Sequence, residues 1–348
     1  MTLAKVAKRA GVSTATVSRV LNKRGVVKES TVRRVVSAIE ALNYYPNLHA
    51  RSLAGGKSNT IGLIVSNLSN PFFLDIFQAM DAAARASGYD VLVEQTGYQV
   101  SQLRAGVRSL LGKRVIGLAV IVSEMEETLL AEIQASDRPT VFYDVGVASK
   151  NSTNIRARYE LGTRRAVQYL YSLEHRRMAF VGHHSALSPL QVRRKAFLSA
   201  VGNYSGAVSW KVAQGPDSPA GGAQATRELL LSGFRPTAIV CVNDYMAIGA
   251  LRELRAHGYS VPADISVTGF DNISLSEFTY PALTTLDIPR EEIGRMAVRA
   301  LLPDKVGAPI PPEVLLEPEL VLRDSTGPAP VSHESALATP RVAGNNRS

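Results

Sequence analysis

Residues 2–22 read TLAKVAKRAGVSTATVSRVLN, a stretch that two short amphipathic helices joined at a glycine explain completely. Thr2 is positioned to cap a first helix reaching about Ala10, with Leu3, Val6 and Ala7 or Ala10 along one face, and Gly11 ends it. Ser13 then precedes a second helix over residues 14–22. Helical spacing turns Val17, Val20 and Leu21 inward and leaves Thr14, Ala15, Ser18, Arg19 and Asn22 on the outer face. A third helix is predicted over residues 30–42, with Val32, Val35, Val36, Ile39 and Leu42 inward. This is the helix-turn-helix pattern, whose second helix enters the major groove of DNA. Arg19 suits a guanine edge or a phosphate, and Thr14 and Ala15 are placed to meet base edges, including thymine methyls. The spacing alone would also serve a small protein-binding bundle, and charge decides between the two.

The formal charge of the 348-residue chain is +9. Residues 1–58 hold eleven Lys and Arg against Glu29 and Glu40, so the entire excess lies in the first sixth of the chain. A basic head on a neutral body points to a polyanionic partner, either nucleic acid or an anionic membrane surface. With 45% hydrophobic and 20% charged residues, the rest can bury a sizeable core. The single cysteine, Cys241, excludes an internal disulfide framework and fits a reducing compartment. No apolar run approaches the roughly 20 residues that span a bilayer, and the start lacks the apolar stretch of a signal peptide. A cytoplasmic protein is predicted, with no membrane partner, located at the nucleoid when bound to DNA.

Beyond the head, Asn47 is a plausible cap and Gly55-Gly56 a plausible stop for about two turns of helix. Helices shorter than about 12 residues are marginal in water, so this hinge is expected to form only when something holds it. From Thr60 apolar strands alternate with amphipathic helices. Strands are predicted at 61–65, 91–94, 116–121 and 140–143, with a helix over 72–87, and a second set at 178–181, 207–212, 238–242 and 266–269. Such alternation implies parallel sheets covered by helices. Two successive sets imply two lobes with a cleft at the strand ends. No Gly-rich phosphate loop, nucleophile elbow or H-E-x-x-H motif is present, and no residue set combines nucleophile, base and oxyanion donors. No enzyme activity, cofactor or metal is expected, and His183-His184 reads as a loop feature. Residues 325–348, rich in Pro, Ser, Ala and Asn, are predicted disordered.

The stretches TLAKVAKRAGVSTATVSRVLN (2–22), YPNLHARSLAGGKSNTIGLIVSNLSNPFF (45–73), CVNDYMAIGALREL (241–254), DISVTGFDN (264–272) and PALTTLDIP (281–289) resemble, in order, the lactose/galactose-repressor family of bacterial transcriptional regulators. The resemblance implies an N-terminal all-α helix-turn-helix head (1–46) and a hinge helix (47–58). A two-lobed α/β domain with parallel sheets, like the periplasmic sugar-binding proteins, follows over 59–324 and returns to its first lobe after about Thr285. It further implies a homodimer on a two-fold symmetric operator. The tail lacks the leucine heptad that some relatives use to form tetramers. The DNA contacts so expected are Thr2, Ser13, Thr14, Ala15, Ser18, Arg19 and Asn22 in the head. In the hinge they are Ala50, Arg51 near the phosphates, and Leu53 wedged between base steps. Carried over position by position, Phe73 and Asp144 of the first lobe and Arg193, Asn243 and Asp271 of the second would hold a small-molecule effector, a sugar or sugar derivative. Strand-end Asn and Asp also commonly cap the next helix, so Asn243 and Asp271 carry two readings.

Three positions depart from the family pattern. Lys28 stands where a capping Ser is usual, a loss of about 1 kcal/mol, which leaves Ser30 or Thr31 to cap a slightly shorter third helix. Pro216 and Asp217 stand where many relatives place an aromatic platform, which favours a polar or acceptor-seeking ligand, and Ile288 replaces a Gln found in a relative. A transport-type binding protein, the other class sharing these lobes, would need a signal peptide and no basic head.

Overall fold

The computed structural model describes residues 2–21, 27–44, 58–146, 149–183, 188–204, 206–302 and 310–330. The chain divides into two compact units, residues 1–58 and 59–348.

In the first unit α1 (Leu3–Ala10), α2 (Thr14–Leu21) and α3 (Glu29–Ala41) enclose a small core of Val6, Ala7, Ala10, Val17, Val35 and Ala38. Gly11 closes α1 in the left-handed region, φ 63°, where a side chain would be strained. Ser13 starts α2, its Oγ accepting the Thr16 N–H at 3.2 Å. Three expectations need correcting. The Thr2 side chain makes no capping bond; only its carbonyl takes part, accepting the Lys5 N–H at 3.0 Å. Helix α3 is not shortened at its start: it begins at Glu29 with Lys28 at the cap position and no side-chain cap. The Glu29 carboxylate in the first turn favours that helix end through the helix dipole. Val36 is 41% exposed while Ala38 is buried, because one residue's rotation of about 100° from Val35 carries position 36 off the inner face.

The second unit builds its first lobe from β1 (Thr60–Val65), α4 (Pro71–Ala86), β2 (Asp90–Gln95), α5 (Val100–Gly112), β3 (Leu118–Ile121), α6 (Glu127–Ala135), β4 (Thr140–Tyr143) and β5 (Ser152–Ala157). Helix α7 (Tyr159–Ser172) leads to the second lobe: β6 (Arg177–His183), α8 (Ser188–Gly202), β7 (Ser209–Gly215), α9 (Pro219–Leu231), β8 (Ala238–Cys241), α10 (Asp244–Ala256) and β9 (Ser266–Thr268). The chain then recrosses through β10 (Thr285–Asp287), α11 (Arg290–Leu301), β11 (Glu313–Leu316) and β12 (Glu319–Val321). The first sheet runs β11-β5-β4-β3-β1-β2 and the second β7-β6-β8-β9, both parallel throughout, while β10 and β12 form an antiparallel pair.

Strand burial follows position in the sheet. Apolar β3, β4 and β8 are covered on both faces and buried along their length, whereas the edge strands β2 and β11 alternate. Each lobe has its own apolar core, one around Ile61, Ile76, Ile121 and Ile293, the other around Phe197, Ile239, Val267 and Leu254. Helix α11 belongs to the first lobe's core although it follows the second lobe in sequence. It packs against α4 at Gly294, where an added Cβ would lie 2.6 Å from the Ile76 carbonyl.

Strands β5 and β11 escape the sequence reading because their polar residues hide their burial. Asn154, for instance, is buried in β5 and donates to the Gly146 carbonyl at 2.8 Å. The tail also needs correction at its near end, since residues 325–330 are packed on the second lobe. The buried Ser325 donates to the Val267 carbonyl at 2.6 Å and accepts the Thr284 N–H at 2.8 Å, and the Ala329 N–H reaches the Leu173 carbonyl at 2.8 Å. Residues 331–348 lie outside the described residues.

Candidate functional site

On the head, the core contacts of Val17 fix which side of α2 faces outward. Thr14, Ala15 and Arg19 are exposed and Ser18 half-exposed on that side. Thr2 and Ser13 are exposed at the starts of α1 and α2, with Ser13 occupied as the α2 cap. Lys5, Lys8 and Arg9 add exposed positive charge along α1. Asn22, Ala50, Arg51 and Leu53 lie outside the described residues.

In the body, strand-to-helix connections from both lobes converge on one cavity. Its lining includes Phe73 and Asp144 from the first lobe and Arg193, Asn243 and Asp271 from the second. Phe73 sits at the start of α4, which Asn70 caps by accepting the Phe72 N–H at 3.1 Å, with Pro71 in the first turn. Phe72 and Phe73 pack edge to face, 5.2 Å between ring centres. Asp144 follows β4 in the left-handed region, φ 63°. One of its oxygens accepts the Ala157 N–H at 2.9 Å and the other the Tyr159 hydroxyl. Burial outweighs these bonds and pushes its carboxyl up to about 6.

Arg193 projects from α8 and is buried. Its terminal nitrogens donate to the Val242 carbonyl at 2.8 Å and to Asp271 at 3.3 Å, while its Nε has no hydrogen-bond partner. The guanidinium lies 4.2 Å from the ring centre of Tyr159 and 4.6 Å from that of Phe270, a favourable cation–π placement. Burial opposes its charge, but Asp271 and Tyr159 hold its pKa above the ordinary arginine value. Asp271 itself is buried at φ 103°, and burial pushes its carboxyl up to about 7 against the pull of Arg193. Its backbone carbonyl accepts from Arg290, whose Nε donates to Asp75 of α4 at 2.9 Å, a link between the lobes. Asn243 combines both readings of a strand-end residue. Its Oδ1 caps α10 through the Met246 N–H at 2.9 Å, and its amide donates to Asp217 at 2.8 Å while lining the cavity.

Sequence reasoning misses two central members of this set. Tyr98 follows β2 in a left-handed turn, φ 61° at Gly97 and 63° at Tyr98, which carries its hydroxyl across to Asp217 of the second lobe. Asp217 also accepts the Asn70 amide at 3.4 Å. One carboxylate thus gathers two donors from the opposite lobe and one from its own. Only a strand-end Gly-Tyr and the absence of an aromatic at 217 mark them in the sequence. With these cross-lobe bonds made, the cavity measures about 30 Å³, on the order of one water's share of the liquid. Among the described residues no helix is long and apolar enough to cross a membrane, and no group of three His, Cys, Asp or Glu is placed to hold a metal.

Comparison with known proteins agrees with both units. Residues 2–47 match the family model of bacterial regulatory proteins of the lacI family, and residues 167–326 that of the periplasmic binding protein-like domain. The chain is 34% identical over 328 residues to the HTH-type transcriptional repressor PurR of Photobacterium profundum, covering 93% of this chain and 98% of the relative. Among solved structures, the Lac repressor dimer bound to operator and the anti-inducer ONPF superposes with a TM-score of 0.80 at 31% identity, covering 94% of this chain and 99% of that one. A lacI-family transcriptional regulator from Silicibacter pomeroyi superposes with a TM-score of 0.83 at 26% identity, with the same coverage.

Proposed function

Because this chain belongs to the lacI family of bacterial regulatory proteins, we propose that it is a transcriptional repressor whose operator affinity is set by a small molecule held between the two lobes. It is not an enzyme. It acts in the cytoplasm, at the nucleoid when bound to its operator. The outer face of α2 reads base edges through Thr14, Ala15, Ser18, Arg19 and Asn22, with Thr2 and Ser13 at the phosphates. The hinge residues Ala50, Arg51 and Leu53 order in the minor groove.

The single observation carrying the effector reading is the convergence of Phe73, Asp144, Arg193, Asn243 and Asp271 from two lobes on one cavity. A ligand shifts a two-state equilibrium only by its differential affinity for the two states, so an effector that sets lobe separation must touch both. Entry of anything larger than a water or two requires the lobes to part, which breaks the Asp217 bonds to Tyr98 and Asn70.

Dimerisation supplies the two heads that a two-fold site needs. An exposed apolar surface on the second lobe is suited to a second copy of the chain. Phe278 and Tyr280, 80% and 86% exposed, stand beside Ile248 and Leu251 of α10.

The test is operator affinity of the full chain with and without a compound that raises its melting temperature, since ligand binding stabilises by mass action. The wild-type chain responds and Arg193→Ala does not. An Arg193→Ala chain with full effector response would refute the cleft assignment.

A further inference from the structure

The cavity contains far more acceptor than donor capacity. Asp144, Asp217 and Asp271 all line it, against a single cation, Arg193. Both terminal nitrogens of Arg193 are engaged, by the Val242 carbonyl and by Asp271, so only its Nε remains for a ligand. A phosphate or carboxylate entering here would meet three carboxyl groups and no free guanidinium fork, the arrangement opposite to the one that binds anions. Asp217 is the group whose bonding changes when the lobes part. It then keeps Asn243 of its own lobe and loses Tyr98 and Asn70, which leaves Oδ2 without its two donors. A buried carboxylate oxygen without donors is costly, so a bound ligand must supply them.

Resting on the effector reading above, we propose that the ligand is a non-anionic, donor-rich polar compound, an unphosphorylated polyol or amino-substituted polyol. Asp217 selects it by accepting the hydroxyl or ammonium hydrogen bonds that Tyr98 and Asn70 make in the closed protein. Hydroxyls fit the remaining features as well, since each donates to a carboxylate and accepts from the Arg193 Nε. Tyr98 and the ligand compete for the same oxygen. Removing the tyrosine hydroxyl therefore strengthens binding, an outcome that a misfolded variant cannot imitate.

The experiment incubates the full chain with an equimolar mixture of neutral sugars and polyols, amino sugars, nucleosides, sugar phosphates and sugar acids. Bound compounds are recovered by ultrafiltration and identified by mass spectrometry. The expected result is retention of uncharged or aminated polyols only, lost with Arg193→Ala and reduced at least tenfold with Asp217→Asn. Tyr98→Phe should increase retention severalfold. Retention of a sugar phosphate or sugar acid that Arg193→Ala abolishes would overturn the ligand class while leaving the cleft reading intact, as would an Asp217→Asn chain that binds like wild type. Retention insensitive to Arg193→Ala, or no retention of any class, would count against the cleft as the effector site and against the ligand class together.

Discussion

Replacing Arg193 with Met keeps the length of the side chain and removes the one guanidinium hydrogen-bonded to the buried Asp271 carboxylate. In the wild-type protein burial raises Asp271 from the ordinary 3.8 to about 7. A carboxyl whose folded value lies above its unfolded value contributes stability that is complete below the unfolded value and lost as pH rises through the folded one. The wild-type loss is therefore finished near pH 7, and stability above that is flat with respect to this group. Without Arg193 the folded value climbs further and the loss continues above pH 7, at about 1.4 kcal/mol per pH unit. By pH 9 the variant has lost about 2.7 kcal/mol more than the wild type from this source alone, close to the roughly 3–5 kcal/mol typical of a broken buried ion pair. Urea unfolding followed through Trp210, the single tryptophan, placed on β7 of the same lobe, measures it from pH 5 to 9. Adding Asp271→Asn should remove the extra slope. Parallel wild-type and Arg193→Met curves between pH 7 and 9 would refute the reasoning.

Arg19→Ala should weaken operator binding by about 1–3 kcal/mol, the value of a bidentate base contact or a charged phosphate contact, read by fluorescence anisotropy on a labelled duplex. Exchanging Thr14 and Ala15 should change which operator is preferred while leaving affinity for the new site comparable, and an unchanged preference in competition binding speaks against their role. Leu53→Ala should reduce DNA bending in a gel-phasing assay with effector binding and dimerisation intact; unchanged bending removes the wedge. Gly249→Ala should lower stability by at least about 1–3 kcal/mol, seen by calorimetry, because its Cβ would lie 1.8 Å from the Pro219 carbonyl where α10 crosses α9.

The elements legible in the sequence are those whose burial is uniform or periodic. The central strands β1, β3, β4 and β8 are apolar along their length, and the head's helices repeat at three and four residues. Strand β5 is hidden because Ser152, Asn154 and Arg156 look like loop residues until β4 and β11 flank them. The packed segment around Ser325 is hidden for a related reason. Its stability comes from hydrogen bonds to Val267 and Thr284 rather than from apolar residues. In the cleft, five residues carried over by resemblance line one cavity. The Tyr98–Asp217 contact depends instead on a left-handed turn in one lobe meeting a loop of the other, and no local pattern encodes that meeting. Asp217 registers in the sequence only as the absence of an aromatic.

The account rests most heavily on specific recognition of DNA by paired heads. Selection from randomised duplex DNA with the full chain, followed by mass measurement of the complex, tests that directly. The predicted result is enrichment of a two-fold symmetric site occupied by two chains; enrichment of no sequence, or of an asymmetric site holding one chain, would contradict it.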